Sequence, residues 1–204
     1  MLSCRNAALK MTKKETVRRE MLRKLRRQSA RTRRGKSRQI QCRLQRLPLY
    51  RRARSVLCYV SVGEEVETVP LLLQIVRDGK KLAVPRVLPS GRLAVIAVNH
   101  PQRELIQTDL FGIPAPLFSQ KKQVALKTLD LVIVPGVAFD AQGGRLGRGF
   151  GYFDRFLSRV SPKVPRVGLA FEAQILEKVP VHSHDEPMQA VITEKQTYEN
   201  PHCR

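Results

Sequence analysis

The run LDLVIVPGVAF (129–139) is the most apolar stretch of the chain and constrains its fold more than any other segment. Its apolar residues are consecutive rather than alternating, so both faces of a strand there must be buried. Such a strand needs a layer on each side of its sheet, and the neighbouring segments supply candidates. Strands are expected at 55–61 (SVLCYVS), 81–87 (KLAVPRV), 92–98 (RLAVIAV), 166–171 (RVGLAF) and 188–193 (MQAVIT), from their β-branched content. Residues 13–46 read as helix. Val17, Met21, Leu22 and Leu25, then Ile40, Leu44 and Leu47, recur at helical spacing around a break near Gly35, and Pro48 is the expected stop. Further helices are expected at 68–79, where Thr68 is placed to cap and Pro70 to sit in the first turn, and at 152–160. FGIPAPLF (111–118) reads as loop. Alternating strands and helices predict an α/β sheet.

The 204 residues suffice for one domain with a sizeable core, and no apolar run reaches the roughly 20 residues of a membrane helix. No signal-peptide pattern opens the chain. Cys4, Cys42, Cys58 and Cys203 are dispersed and form no Cys-x-x-Cys pair, which fits a reducing, cytoplasmic setting without a disulfide framework. The net charge of +21 is concentrated at one end. Residues 1–54 hold 20 Lys/Arg against Glu15 and Glu20, whereas residues 55–204 hold 18 against 15. The basic segment has three readings: a solvated helix, a nucleic-acid patch, or a helix lending a few cations to a polyphosphate.

Directly after the apolar run comes GGRLGRGFGYFDRFL (143–157), with glycines at 143, 144, 147, 149 and 151. Strand, glycine-rich loop and helix form a phosphate cradle when backbone N–H groups can approach an anion closely, and Arg145 and Arg148 add charge. The spacing matches neither a Walker loop nor the dinucleotide fingerprint. Asp154, in the first turn of the helix, suits either a helix-dipole role or a magnesium ligand beside bound phosphates. Asp185, in the polar loop VHSHDEPM, is either a turn cap or a second metal ligand. Glu65, within GEEVETVP (63–70), lies at the ligand-facing edge of the first strand, as a solvated acid or a substrate anchor.

These segments together resemble the 5-formyltetrahydrofolate cyclo-ligase family. The longest match is DLVIVPGVAFDAQGGRLGRGFGYFDRFL (130–157). Supporting matches are the basic first helix, YVSVGEEVET, GKKLAVPRV, FGIPAP, LAFEAQIL and His184-Asp185. The resemblance implies a Rossmann-like open sheet flanked by helices in a single domain at 13–194, with a flexible basic tail at 1–12 and a carboxy-terminal tail at 195–204. It implies an enzyme that converts 5-formyltetrahydrofolate and ATP to 5,10-methenyltetrahydrofolate, ADP and phosphate, with Mg²⁺. By matching positions, Lys14, Arg18 and the run Arg145, Leu146, Gly147, Arg148, Gly149, Phe150, Gly151, Tyr152 and Phe153 should bind ATP. Arg18, Val60 and Glu65 should contact the folate, Asp154 and Asp185 should hold the metal, and Arg148 and Tyr152 are the catalytic candidates. Partners are then small molecules, the chain is expected as a monomer, and no membrane is involved. The alternatives are a nucleic-acid-binding protein using residues 1–54, or an inactive folate or nucleotide binder on the same fold. Phe150 stands where relatives carry Lys or Gly, Ala115 where many carry Glu, and Gln189 where Asp is common.

Overall fold

The computed structural model describes residues 12–180, 185–201 and 203. Three helices come first: α1 (Lys13–Arg26), α2 (Ala30–Arg46) and α3 (Pro48–Arg52). Then follow β1 (Ser55–Cys58), α4 (Val69–Arg77), β2 (Lys81–Val87), β3 (Leu93–Val98), α5 (Pro101–Glu104) and the short pair β4 (Gln107–Thr108) and β5 (Pro114–Ala115). The second half contains β6 (Leu131–Val134), β7 (Ala138–Asp140), β8 (Arg145–Leu146), α6 (Tyr152–Leu157), β9 (Arg166–Leu169), β10 (Ile175–Leu176), β11 (Ala190–Ile192) and β12 (Thr197–Glu199).

The main sheet has the order β12-β11-β9-β6-β1-β2-β3. Its five inner strands are parallel, and β3 and β12 close the edges antiparallel. The predicted two-sided burial is observed. Val56, Cys58, Leu131 and Ile133 pack with α1, α2 and α4 on one face, while Leu57, Val132 and Val134 pack with Phe156 and Leu157 of α6 on the other. Strand β1 pairs with β2 on one side and β6 on the other. Chain order therefore reverses between β1 and β6, which opens a crevice beyond their carboxyl ends, where ligands bind in open α/β sheets.

Several boundaries differ from expectation. The helical break lies near Ser29, not Gly35: Ser29 caps α2 by accepting the N–H of Thr32, and Gly35 sits exposed within the helix. Packing of Ile40 and Leu44 carries α2 through the glycine. Pro48 opens α3 instead of only ending α2, because its missing N–H costs nothing in a first turn. The apolar run is two strands: β6 stops before Pro135-Gly136, and β7 joins a separate small sheet with β8 and β10. The helix expected at 152–160 ends at Leu157. Residues 195–204, expected as a tail, contribute β12, which pairs with β11 over Ala190–Ile192. Thr12, placed in the amino-terminal tail, caps α1 in a reciprocal capping box with Glu15.

Phe139 fixes the approach of β7 to the crevice. Its ring is fully buried against the backbones of Gly136 and Gly168, where neither position has room for a Cβ. An added methyl at Gly168 would stand 2.6 Å from the ring. Gly168→Ala is therefore expected to destabilise the protein by about 1–3 kcal/mol, although alanine is the better strand residue. Phe139→Leu should recover part of that loss in the double variant, measured by urea unfolding. Additive losses would show that the two sites are not in steric conflict.

Candidate active site

The crevice at the β1/β6 reversal encloses about 300 Å³. Tyr59 and Val60 reach it from the end of β1, and Pro135 and Gly136 from the end of β6. Ile113 and Phe111 close one side, and the glycine loop with Arg148, Phe150 and Tyr152 closes another. The lining is mainly apolar with few polar groups, as in most small-molecule sites.

The glycines divide into two jobs. Gly143 and Gly144 belong to the β7–β8 turn. There the buried Asp140 accepts the N–H groups of Gln142 (3.0 Å), Gly144 (2.8 Å) and Val179 (2.9 Å), and a Cβ at Gly144 would collide with its carboxylate. Gly149 and Gly151 serve the crevice. Their φ values of 107° and 67° are left-handed conformations that an L side chain resists. Helix α6 has only six residues, so its dipole is small and the loop depends on side-chain cations for positive charge.

Arg18, Arg145, Arg148 and Arg155 meet the loop, with Lys14 one turn before Arg18 on α1, and each is already engaged, Arg155 by donating to the Phe150 carbonyl at 3.1 Å. On α1, Lys14, Arg18, Met21 and Leu25 recur at intervals of four, three and four, so one stripe both docks the helix and delivers two charges. Lys14 Nζ lies 2.8 Å from Asp185 Oδ2, and Arg18 Nε donates to the Gly147 carbonyl at 2.9 Å. Arg148 Nε donates to Glu65 Oε1 at 3.0 Å. Arg145 differs from expectation. Its side chain is 3% exposed, it pairs with Asp154, and it donates to the Pro135 carbonyl at 3.2 Å. Burial pulls its pKa down, opposed first by the paired Asp154 and then by the charge of Asp185.

Of the other expected residues, Val60, Glu65, Gly147, Gly149, Phe150, Gly151, Tyr152, Phe153 and Asp154 line the crevice. Leu146 does not: its side chain is in the core, and its carbonyl accepts the Val137 N–H. Asp185 stands beside Lys14 rather than on the crevice wall. His184 lies outside the described residues. Ala115 is fully buried in β5, away from the crevice lining. Gln189 ties strands together: its Oε1 accepts the Arg166 N–H at 2.7 Å. Phe150 neither packs beneath the loop nor replaces a cation. It is 59% exposed, with its ring centroid 4.9 Å from Phe111 and 6.0 Å from Tyr152. Sequence reasoning assigned no role to Tyr59, Phe111 or Ile113. Only FGIPAP pointed toward the last two, because their approach to the glycine loop is a long-range contact.

Asp154, paired with Arg145, and Asp185, paired with Lys14, are of the donor type that suits a magnesium ion, since Mg²⁺ takes one or two carboxylates and completes its shell with phosphate oxygens and water. Among the described residues no group of three or more His, Cys, Asp or Glu gathers as an all-protein metal site.

Glu65 is a half-buried acid of the crevice, its side chain 14% exposed. Its Oε2 accepts the Val62 N–H at 3.0 Å. Burial raises its pKa above the usual 4.5, and Arg148 and the N–H only partly counter this. The folded protein therefore holds this proton more tightly than the unfolded chain. The associated stability is present below pH 4.5 and is lost as pH rises through the raised folded value. Glu65→Gln removes the titration and keeps one acceptor oxygen, for either the Val62 N–H or Arg148, the other position becoming a donor. Whatever that lost contact costs, the melting temperature of the variant relative to the parent should rise between about pH 4 and about pH 8. A difference that does not change with pH would mean that Glu65 ionises like an exposed acid.

Comparison with known proteins agrees with this geometry. The family model for the 5-formyltetrahydrofolate cyclo-ligase family matches residues 10–194. The 5-formyltetrahydrofolate cyclo-ligase of Escherichia coli strain K12 is 37% identical over 149 residues, covering 72% of this chain and 81% of its own. The Mus musculus cyclo-ligase is 31% identical over 153 residues, covering 71% and 75%. The structure of Aquifex aeolicus 5,10-methenyltetrahydrofolate synthetase superposes with a TM-score of 0.81 at 31% identity, covering 92% of this chain and 93% of its own. The chain belongs to the 5-formyltetrahydrofolate cyclo-ligase family.

Proposed function

We infer that the crevice between β1 and β6 is the catalytic site of an ATP-dependent cyclo-ligase acting on 5-formyltetrahydrofolate. One observation carries this reading. An apolar, aromatic-rimmed cleft with a half-buried acid, Glu65, adjoins a glycine loop carrying arginines and followed by Asp154. The first half suits a pterin and the second a polyphosphate. An amide-like formyl group is a poor electrophile. Its oxygen takes the γ-phosphoryl group and ADP departs. N10 of the folate then attacks the formyl carbon, and phosphate leaves with the oxygen, closing the methenyl bridge.

The protein's share is positioning and charge neutralisation. Val60 and Ile113 cover the pterin, while Glu65 accepts its N–H groups. Arg18 and Lys14 hold phosphates from the α1 side, and Arg148 turns from Glu65 toward the transferring group. Tyr152 hydrogen-bonds near the reacting atoms. Arg145 acts from beneath, fixing Asp154 rather than touching phosphate. Asp154 and Asp185 would hold Mg²⁺, which when bound neutralises phosphate charge.

ATP-dependent appearance of methenyltetrahydrofolate absorbance tests the reaction. Its absence in folded protein that binds both ligands would leave a binder without activity. Asp154→Asn should lower turnover at least about tenfold, roughly 1.4 kcal/mol of transition-state stabilisation, and raise the magnesium needed for half-activity. A lower melting temperature with unchanged magnesium dependence would reduce Asp154 to the partner of Arg145.

Phe150→Lys should leave the melting temperature within about a degree, because the ring is mostly exposed. It should also tighten a non-hydrolysable ATP analogue by about 0.5–1.5 kcal/mol, the contribution of one partly solvated charged hydrogen bond. Weaker nucleotide binding in calorimetry would overturn a phosphate-facing position for this residue.

A further inference from the structure

Residues 21–63 hold 14 Lys/Arg and no Asp or Glu. The body of the protein uses one side of this charge. Arg26 pairs with Glu64 (3.2 Å), Arg33 with Glu67 (3.8 Å) and Lys36 with Glu194 (2.8 Å). Arg43 donates to the carbonyls of Thr193, Glu194 and Lys195. These contacts attach α1 and α2 to the rest of the fold.

The opposite side of α2 is different. Arg31, Arg34, Arg38 and Arg46 are exposed and have no ion pair among the described residues. Their intervals of three, four and eight place them on one helical face, in a row about 22 Å long at roughly 1.5 Å per residue. At its carboxyl end the row enters a pocket of about 470 Å³, lined in part by Cys42, Arg46, Arg51, Lys80 and Asp78, whose carboxylate accepts from Tyr50 and Gln74. Lys80 Nζ already serves the carbonyls of Arg51 (3.1 Å) and Ala53 (2.6 Å), which leaves Arg46 and Arg51 as the outward cations. Like charges three and four apart repel, so the row weakens the helix unless an anion lies along it.

We propose that this face of α2, with the adjoining pocket, binds the phosphate backbone of single-stranded nucleic acid, apart from the catalytic crevice. Every outward cation of the row is arginine, whose fork pairs bidentately with phosphate. A straight row suits a flexible strand, whereas duplex phosphates curve away from it. An anionic membrane fits poorly: the apolar side of α2, with Ile40 and Leu44, is buried in the core and cannot insert. Binding is independent of base sequence. The one aromatic ring of the pocket, Tyr50, is buried with its hydroxyl on Asp78 (2.6 Å) and offers no stacking platform.

The test is fluorescence anisotropy of a labelled single-stranded oligouridylate, about 12 nucleotides long, across a salt series, with the full chain. Affinity should fall with salt at a log–log slope of about −0.7 per neutralised phosphate, near −3 for four contacts. The variant Arg31→Gln/Arg34→Gln/Arg38→Gln/Arg46→Gln should bind at least tenfold more weakly with a slope nearer zero. Its cyclo-ligase turnover should be unchanged and its melting temperature not lowered. Equal affinity in parent and variant would overturn the proposal, as would no binding at low salt. Displacement of the strand by an oligoglutamate of equal charge at the same concentration would also overturn it, and would point to an acidic protein surface.

Discussion

The buried guanidinium of Arg145 is the interaction on which the active-site half of the molecule depends. It sits at the base of the glycine loop, reaches the end of β6 through the Pro135 carbonyl, and holds Asp154 at the start of α6. Asp185, from the distant loop before β11, adds its field. The end of β6 and the start of α6 are thereby tied to one charge. A buried cation is tolerated only with such partners, and removing one partner of a buried pair typically costs about 3–5 kcal/mol.

Cations at and near the crevice are each held by a partner. Lys14 faces Asp185, Arg148 faces Glu65, and Arg18 faces the Gly147 carbonyl. Glu65 links two sides of the crevice, since it accepts both the Val62 N–H, beyond β1, and Arg148 of the glycine loop. Its burial makes that carboxylate expensive to ionise, so a donor that satisfies it is welcomed.

Much of the architecture was legible locally. The consecutive apolar residues of 131–134 required a strand covered on both faces, and it lies in the middle of the sheet. The alternation of strands and helices required an α/β fold, and the strand–glycine loop–helix order marked a loop that lines the crevice. Other features were decided by distant contacts. The chain breaks at Pro135-Gly136 because Phe139 needs the space over Gly136 and Gly168. Helix α2 passes through Gly35 because Ile40 and Leu44 are anchored further on. Strand β12 exists because β11 offers an edge.

The sequence by itself determined which residue types were available: a glycine-rich turn, arginines within it, an acid after β1, and a basic first helix. The motif resemblance added their chemical assignment. Tertiary structure alone decided how those charges are used. It buried Arg145 against Asp154 and left Arg148 partly exposed, though only two residues lie between them. It turned Phe150 outward against Phe111, and it tied one side of the basic segment to the body while leaving the other in water. The reason is physical. Local propensity acts through neighbours a few residues away, whereas burial and ion pairing depend on groups that only the closed sheet brings within a few ångströms.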